Sequence, residues 1–267
     1  MTFRAPREAV EAAEAYESLH VPALFREWAP RVLAAAAVGT GDRVLDVACG
    51  TGVLARRAAA LVGPAGRVAA IDPGPGMLAV AARLEPSVDW RQGVAEALPF
   101  DDRSFDAVVS QFGMMFFSDR REAVREMLRV LVPGGRLAVA VWDRLEVSEA
   151  YPVEVELLER LAGREAADAL RAPFALGDRE ELAELLQAAG ATSVAVASSS
   201  GTARFPSVRT MVEADLRGWL PVMGVVLEEA VIERVLREAE VALSEYVTPE
   251  GRVAFPAPAH VVTGRRP

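Results

Sequence analysis

Val44-Leu45-Asp46-Val47-Ala48-Cys49-Gly50-Thr51-Gly52 is the stretch on which the reading of this chain turns. An apolar strand runs into a tight glycine turn, and the turn opens a helix over 52–62. Glycine lets a backbone reverse sharply and lets a ligand approach it closely. A bare Gly-x-Gly also occurs in ordinary strand–turn–helix units. Asp46 adds weight here, because it stands in an otherwise apolar strand end. A carboxylate in such a place needs a polar partner, and the ammonium group of a ligand would suit it. Where the dinucleotide fingerprint Gly-x-Gly-x-x-Gly has its third glycine, this chain has Ala55, which counts against a nicotinamide cofactor.

Downstream of that turn, short β-branched runs alternate with helical ones. Strands are expected at Arg43–Ala48, Arg67–Ile71, Val88–Gln92, Asp106–Gln111 and Arg136–Trp142. Helices are expected over 52–62, 76–84 and 119–131. The last carries an Asp119/Glu122 capping pattern and is ended by Pro133-Gly134-Gly135. Such alternation implies a parallel, doubly wound sheet. Upstream, residues 6–37 read as two or three short helices broken at Pro22 and Pro30, with Leu24, Phe25, Trp28, Val32 and Leu33 on one stripe. Beyond residue 143, helices are expected at Pro152–Leu161 and Arg179–Ala189, and a sixth strand at Ser193–Ser198. Residues 207–247 read as helical again, before a last strand near 252–263. The expectation is one α/β domain over 1–267 with a Rossmann-like, mostly parallel seven-stranded sheet. Residues 40–143 are its core, 1–38 a helical cap, and 207–248 a helical insertion before the last strand.

Composition narrows the chemistry. The 267 residues are 52% apolar and 25% charged, as a packed core requires, and the net charge of −9 is wrong for gripping a phosphate backbone. The chain has no lysine, which removes Schiff-base, phosphate-loop and lysine-base mechanisms. The single cysteine, Cys49, excludes an internal disulfide and a cysteine-rich zinc site. The two histidines, His20 and His260, lie far apart in sequence, so no metal site is expected. No apolar run reaches the roughly 18 residues of a membrane span. Met1-Thr2-Phe3-Arg4 soon turns charged, unlike a secretory signal. A cytoplasmic protein acting on a small molecule, without nucleic acid, is expected.

Asp72 ends the second strand about twenty residues after the glycine turn, where open α/β sheets place an acid for ribose hydroxyls. It could equally serve the turn or cap a helix beside Pro73-Gly74. Met77 and Leu78 follow and could flank an adenine ring or join the core.

Together Val44–Gly52, Ile71-Asp72 and Gly76-Met77-Leu78 resemble the class I S-adenosylmethionine-dependent methyltransferases. Gln92-Gly93-Val94-Ala95-Glu96-Ala97-Leu98-Pro99-Phe100, Ser104-Phe105-Asp106 and Arg129–Leu137 look like the ubiquinone/menaquinone-biosynthesis type of that family. The resemblance covers roughly residues 40–143 and implies a set of contacts. Ala48, Cys49, Gly50, Thr51 and Gly52 would pack on the methionyl part of the cofactor, and Asp46 would support its amino-acid end. Asp72, beside Pro73, would hold both ribose hydroxyls. Met77, Gly93, Val94, Ala95 and Glu96 would border the adenine. Ser110, Gln111 and Phe112 would lie near the reactive methyl, and S-adenosylhomocysteine would be the product. One departure stands out: the family usually has Asp at the place of Val94, to accept from the adenine amino group. A backbone carbonyl or Glu96 would have to take over, or adenine recognition is weaker, or the fold no longer transfers methyl groups.

Met114, Met115, Phe116 and Phe117 belong to the core or face a substrate. Methyl transfer from a sulfonium needs alignment and desolvation, and needs a base only if the acceptor must lose a proton. His20 is the expected catalytic base, since it lies in the helical region that would cover the cleft. A surface or capping role competes with that reading. Tyr16, Gln111 and Trp142 are weaker choices, and His260 reads as structural. Phe205, Met211, Trp219, Leu220, Val222 and Met223 would line the cap, pack it on the sheet, or form a homodimer contact. The resulting expectation is methylation of a small apolar molecule at oxygen, nitrogen or carbon. A non-methylating protein that keeps the cofactor, such as a cyclase, and a nicotinamide oxidoreductase remain alternatives.

Overall fold

Strands buried on both faces read as nearly continuous apolar runs, and the inner strands of the sheet do so, whereas the edge strand Asp89–Gln92 buries only Trp90. In the computed structural model, which describes residues 3–267, β1 (Arg43–Val47), β2 (Arg67–Asp72), β3 (Asp89–Gln92), β4 (Phe105–Gln111) and β5 (Leu131–Trp142) pair in parallel. Met1 and Thr2, part of the expected cap and of the reading against a secretory signal, lie outside the described residues. β6 (Thr192–Phe205) and β7 (Val253–Arg265) complete a seven-stranded sheet in the order β3-β2-β1-β4-β5-β7-β6. β7 is antiparallel to both β5 and β6. The strand order reverses at β1, which pairs with β2 on one side and β4 on the other. In open α/β sheets a ligand crevice forms at the carboxyl ends beside such a reversal.

Helices α3 (Val53–Val62), α4 (Pro75–Leu84) and α5 (Arg120–Val130) connect the early strands. Asp119 caps α5 through its side chain, which accepts from the Glu122 amide at 2.9 Å. Ahead of β1 come α1 (Arg7–His20), a π-helical turn at Val21–Phe25 and α2 (Ala29–Ala35). Pro22 does not break the chain's helical path there, because the wider π turn absorbs it, with Arg26 N–H donating to Val21 O at 2.8 Å. Pro30 sits in the first turn of α2, where its missing N–H costs nothing. α1 lies directly on α4. A Cβ at Gly76 would come within 2.3 Å of the Ala9 carbonyl oxygen, so this crossing needs glycine.

Several expectations are corrected. Pro133-Gly134-Gly135 does not separate helix from strand, because β5 already begins at Leu131. Gly134 adopts φ +74°, its N–H donates to Arg266 O, and Arg266 N–H donates to Gly135 O. The strand irregularity is thus held by the C-terminal chain, which no local pattern reveals. β6 continues through Ser199-Ser200-Gly201-Thr202 to Phe205, because β7 pairs with it along its whole length. After α6 (Tyr151–Ala162) a helix absent from the sequence reading, α7 (Arg164–Arg171), buries Ala166, Ala167, Ala169 and Leu170. α8 (Arg179–Ala188) follows. The helical stretch expected over 207–247 is divided into α9 (Val208–Ala214), a second π-helical turn at Asp215–Trp219, the short α10 (Leu220–Val222) and α11 (Glu229–Ala242). Gly224, at φ +83°, lies in the break between α10 and α11. No helix among the described residues is long and apolar enough to cross a membrane.

Candidate functional site

Past β1 the backbone enters the left-handed region at Ala48 (φ +58°), Gly50 (+53°) and Gly52 (+85°). For Ala48 this is a strained conformation, of the kind that clusters at binding sites. Asp72 holds the turn in shape. Its Oδ2 accepts from Gly50 N–H and its Oδ1 from Gly74 N–H, both at 2.8 Å. Asp72 therefore serves its own turn and the glycine turn together, and each oxygen keeps a further lone pair. Burial pushes its carboxyl above the usual range, and the two amides oppose that shift.

Asp46 is 1% exposed, and neither of its carboxylate oxygens has a hydrogen-bond partner among the described residues. Burial drives its pKa well up; the Ala55 backbone amide opposes the shift without closing a hydrogen bond, and Asp72 adds to it. Nearby, Gln111 donates from Nε2 to the Phe25 carbonyl at 3.0 Å, while its Oε1 is buried and unpartnered. The hydroxyls of Thr51 and Ser110 are buried without partners as well. Asp46, Thr51 and Gln111 line one cavity of about 980 Å³ at the carboxyl ends of β1, β2 and β4. Unmet acceptors facing a cavity suit a cationic, donor-rich group such as an ammonium. The residues present therefore fit the amino-acid end of S-adenosylmethionine.

The same cavity takes in Ala48, Cys49, Gly50, Asp72, Pro73, Met77, Gly93, Val94, Ala95, Glu96 and Phe112. Two expected residues are not on its wall: Ser110, which is fully buried, and Gly52. Gly52 precedes α3, and the Trp90 ring covers it so closely that a Cβ would lie 2.3 Å from the indole. Leu78 is fully buried in the core, whereas Met77 faces the cavity. Val94 is 46% exposed and offers no side-chain acceptor. Glu96 Oε1 accepts from the Ser118 and Asp119 amides, at 2.7 and 3.2 Å, so that oxygen is committed to the neighbouring loop.

The cavity roof is α1, through Glu8, Ala9, Ala12, Ala13 and Tyr16. Arg56 ties this roof down, bonding Glu17 at 2.7 Å and the Thr51 carbonyl at 2.7 Å, and Arg83 bonds Glu14 at 2.8 Å. Tyr16 stacks between His20 and Phe25, with ring centroids 5.5 and 5.4 Å away. Beneath it lies a second chamber of about 70 Å³ that shares Tyr16, Phe25, Phe112, Met115, Phe116 and Trp219 with the first. Phe112, left-handed at φ +56°, stacks on Trp142 at 3.8 Å and forms a wall of it. The Met/Phe run is thus divided: Met114 is core, while Met115 and Phe116 face both spaces.

His20 lines the second chamber and not the first. It is 5% exposed; its Nε2 lies 3.2 Å from Asp215 Oδ1, and its Nδ1 is buried without a partner. His260 is held by Ser198 Oγ, Gly177 O and Asp143, as a structural residue would be. The sequence reading missed Asp215 and Glu154, both buried acids. Each left a sign. Asp215 falls on the apolar stripe Val208/Met211/Val212, and Glu154 on the stripe Tyr151/Val155/Leu158.

With this geometry in hand, similarity to known proteins becomes informative. The methyltransferase-domain family pattern matches residues 44–135. A demethylmenaquinone methyltransferase of Paenarthrobacter aurescens is 36% identical over 186 residues, 66% of this chain and 72% of that protein. The chain belongs to the ubiquinone/menaquinone type of class I S-adenosylmethionine-dependent methyltransferases. A demethylmenaquinone methyltransferase of Renibacterium salmoninarum is 39% identical over 135 residues, 51% of this chain, and the chain spans 56% of that relative's length. Among solved structures, phosphoethanolamine N-methyltransferase 2 of Haemonchus contortus, in complex with S-adenosyl-L-methionine, superimposes with a TM-score of 0.60. Its identity is 17%, over 97% of this chain and 57% of that one, so the likeness is one of fold.

Proposed function

We propose that the chain transfers the methyl group of S-adenosylmethionine to a small apolar molecule seated where the large cofactor cleft meets the aromatic chamber. The observation that carries this reading is the unmet acceptor set of Asp46 and Gln111 at the β1/β4 reversal, in a cleft that shares a wall with that chamber. When bound, S-adenosylmethionine supplies an electrophilic methyl whose bonding pair returns to sulfur. Asp46 and Gln111 Oε1 hold its ammonium group. The Asp72 lone pairs not used by Gly50 and Gly74 accept from the ribose hydroxyls. Pro73, Met77, Val94 and Ala95 wall the adenine, and Ala48 to Thr51 lie along the methionyl chain. Residues 40–143 form the cofactor core in this reading, and the flanking helical segments cap it.

The aromatic rings exclude water and align the acceptor. His20 takes the proton that an acceptor with an O–H, N–H or acidic C–H must lose. Relatives named for demethylmenaquinone make a quinol precursor the first acceptor to try. A net charge of −9 favours such a small molecule over nucleic acid, and we place the protein in the cytoplasm. Titration calorimetry with S-adenosylmethionine, S-adenosylhomocysteine and NAD, followed by transfer of labelled methyl to a panel of quinols and phenols, tests the proposal. Binding of NAD alone, or transfer only to protein or nucleic acid, would overturn it.

A further inference from the structure

Polar residues are scarce in the wall of the aromatic chamber: His20, Asp215, Ser148 and the two tyrosines, Tyr16 and Tyr151. Among the described residues, no arginine lines it. His20 closes α1 and immediately precedes the π turn Val21–Phe25, and Asp215 opens the π turn Asp215–Trp219. π turns concentrate at functional sites, because they redirect a few side chains at a cost in backbone geometry. Here two of them bring together residues 195 positions apart in sequence. Gly218 of the second turn faces the His20 ring, and a Cβ there would lie 3.5 Å from Cε1.

We infer that Asp215 is the positioning residue for His20: its carboxylate holds the imidazole as the Nε2–H tautomer and leaves Nδ1 as the proton acceptor of the chamber. This rests on the proposed role of His20 as base. The geometry supplies the reason. With Nε2 directed at Asp215 Oδ1, Nδ1 is the remaining ring nitrogen, and it is buried with no partner among the described residues. A histidine placed only for packing would find a second partner, as His260 does with Ser198 at Nδ1 and Gly177 at Nε2. Nδ1 takes a proton from the acceptor, whose bonding pair stays behind on the acceptor atom, and the resulting imidazolium is stabilised by Asp215.

A second buried acid lies close to the pair. On α6, Glu154 is 0% exposed with both oxygens unpartnered. Burial, and then the neighbouring Asp215, pushes its carboxyl far up. Tyr151 is held neutral by burial and by the same two acids. Of the other charged groups on the packed elements, Arg217 is turned onto Glu213 and Glu229, Arg209 onto Glu233, and Glu17 onto Arg56.

Imidazole 15N NMR of the full chain tests the inference without relying on turnover. The protein has only two histidines, and H20Q identifies the His20 signals by their loss. The wild-type spectrum should show His20 protonated at Nε2. In D215N the preference for that tautomer should weaken, because an amide can turn its NH2 as well as its oxygen to the ring. In turnover, kcat should drop while S-adenosylhomocysteine affinity stays unchanged. An Nδ1–H tautomer in the wild type, or an unchanged tautomer population in folded D215N, would overturn the inference. Should D215N fail to fold, the wild-type tautomer alone decides. If the tautomer behaves as stated but H20Q keeps full activity, the pairing stands and the base assignment falls.

Discussion

Replacing Asp46 by Asn separates what the fold needs from what the cofactor needs. Asp46 is buried and unpartnered, so its neutral form is the stable one without ligand. Asn keeps the shape and the neutrality, and the ligand-free protein should lose no stability. The wild-type carboxyl has a folded pKa above its unfolded one. Its contribution to stability is therefore full below the unfolded pKa and lost as pH rises through the folded pKa. The ligand-free wild type should lose stability over that window, and Asp46→Asn should remove this site's part of the slope, leaving those of Asp72 and Glu154. An arriving ammonium reverses the preference and releases a proton. A charge-assisted hydrogen bond is worth about 1.5–3 kcal/mol. Each unit by which the pKa was raised returns about 1.4 kcal/mol as the cost of ionising the acid when the experiment lies below that pKa. A net loss near 2 kcal/mol, roughly 30-fold in S-adenosylhomocysteine affinity, is expected for Asp46→Asn. Calorimetry at several pH values, in two buffers of different ionisation enthalpy, measures affinity and proton release together. Wild-type affinity should rise with pH up to the raised pKa, and that of Asp46→Asn should be flat. Proton-neutral binding by the wild type, or equal affinities at all pH values, would refute the assignment of Asp46 to the ammonium.

Asp72→Ala removes the acceptor for the Gly50 and Gly74 amides, so denaturant titration should show a stability loss of about 1–3 kcal/mol beside weakened cofactor binding; a folded variant with unchanged affinity would count against the ribose role. Val94→Asp places a carboxylate at a half-open site, where desolvation costs little, and should tighten S-adenosylhomocysteine binding about tenfold by calorimetry. Gly76→Ala drives a methyl against the Ala9 carbonyl and should cost about 1–3 kcal/mol. It should also weaken cofactor binding, because α1 roofs the cleft; a normal melting temperature would mean that α1 can shift without penalty.

Much of the cofactor side of the site was legible because it is local. The glycine turn, Asp46 and Asp72 sit at strand ends, and a strand ending in a turn declares itself within a few residues. Gly52 looked like its neighbours in that motif, yet Trp90, on β3, takes the space beside it. Glu96 looked free to replace the missing acceptor of Val94, yet it is occupied by amides 22 and 23 residues away. Asp215 and Glu154 could have been flagged as acids on apolar stripes, although their mutual proximity has no trace in sequence spacing.

What the sequence determined by itself was the order of strands and helices in the core, the parallel sheet and the acids at its rim. Burial period and turn chemistry act over a handful of residues, and the run of apolar strands leaves one way to cover both faces of the sheet. The tertiary structure decided the length of β6 and the bulged start of β5, because ladder hydrogen bonds come from β7 and from Arg266. It also decided that His20 and Asp215 meet in the wall of an aromatic chamber. Such a pair is stabilised only once the folded core has removed water from both groups, a condition that no short stretch of sequence carries.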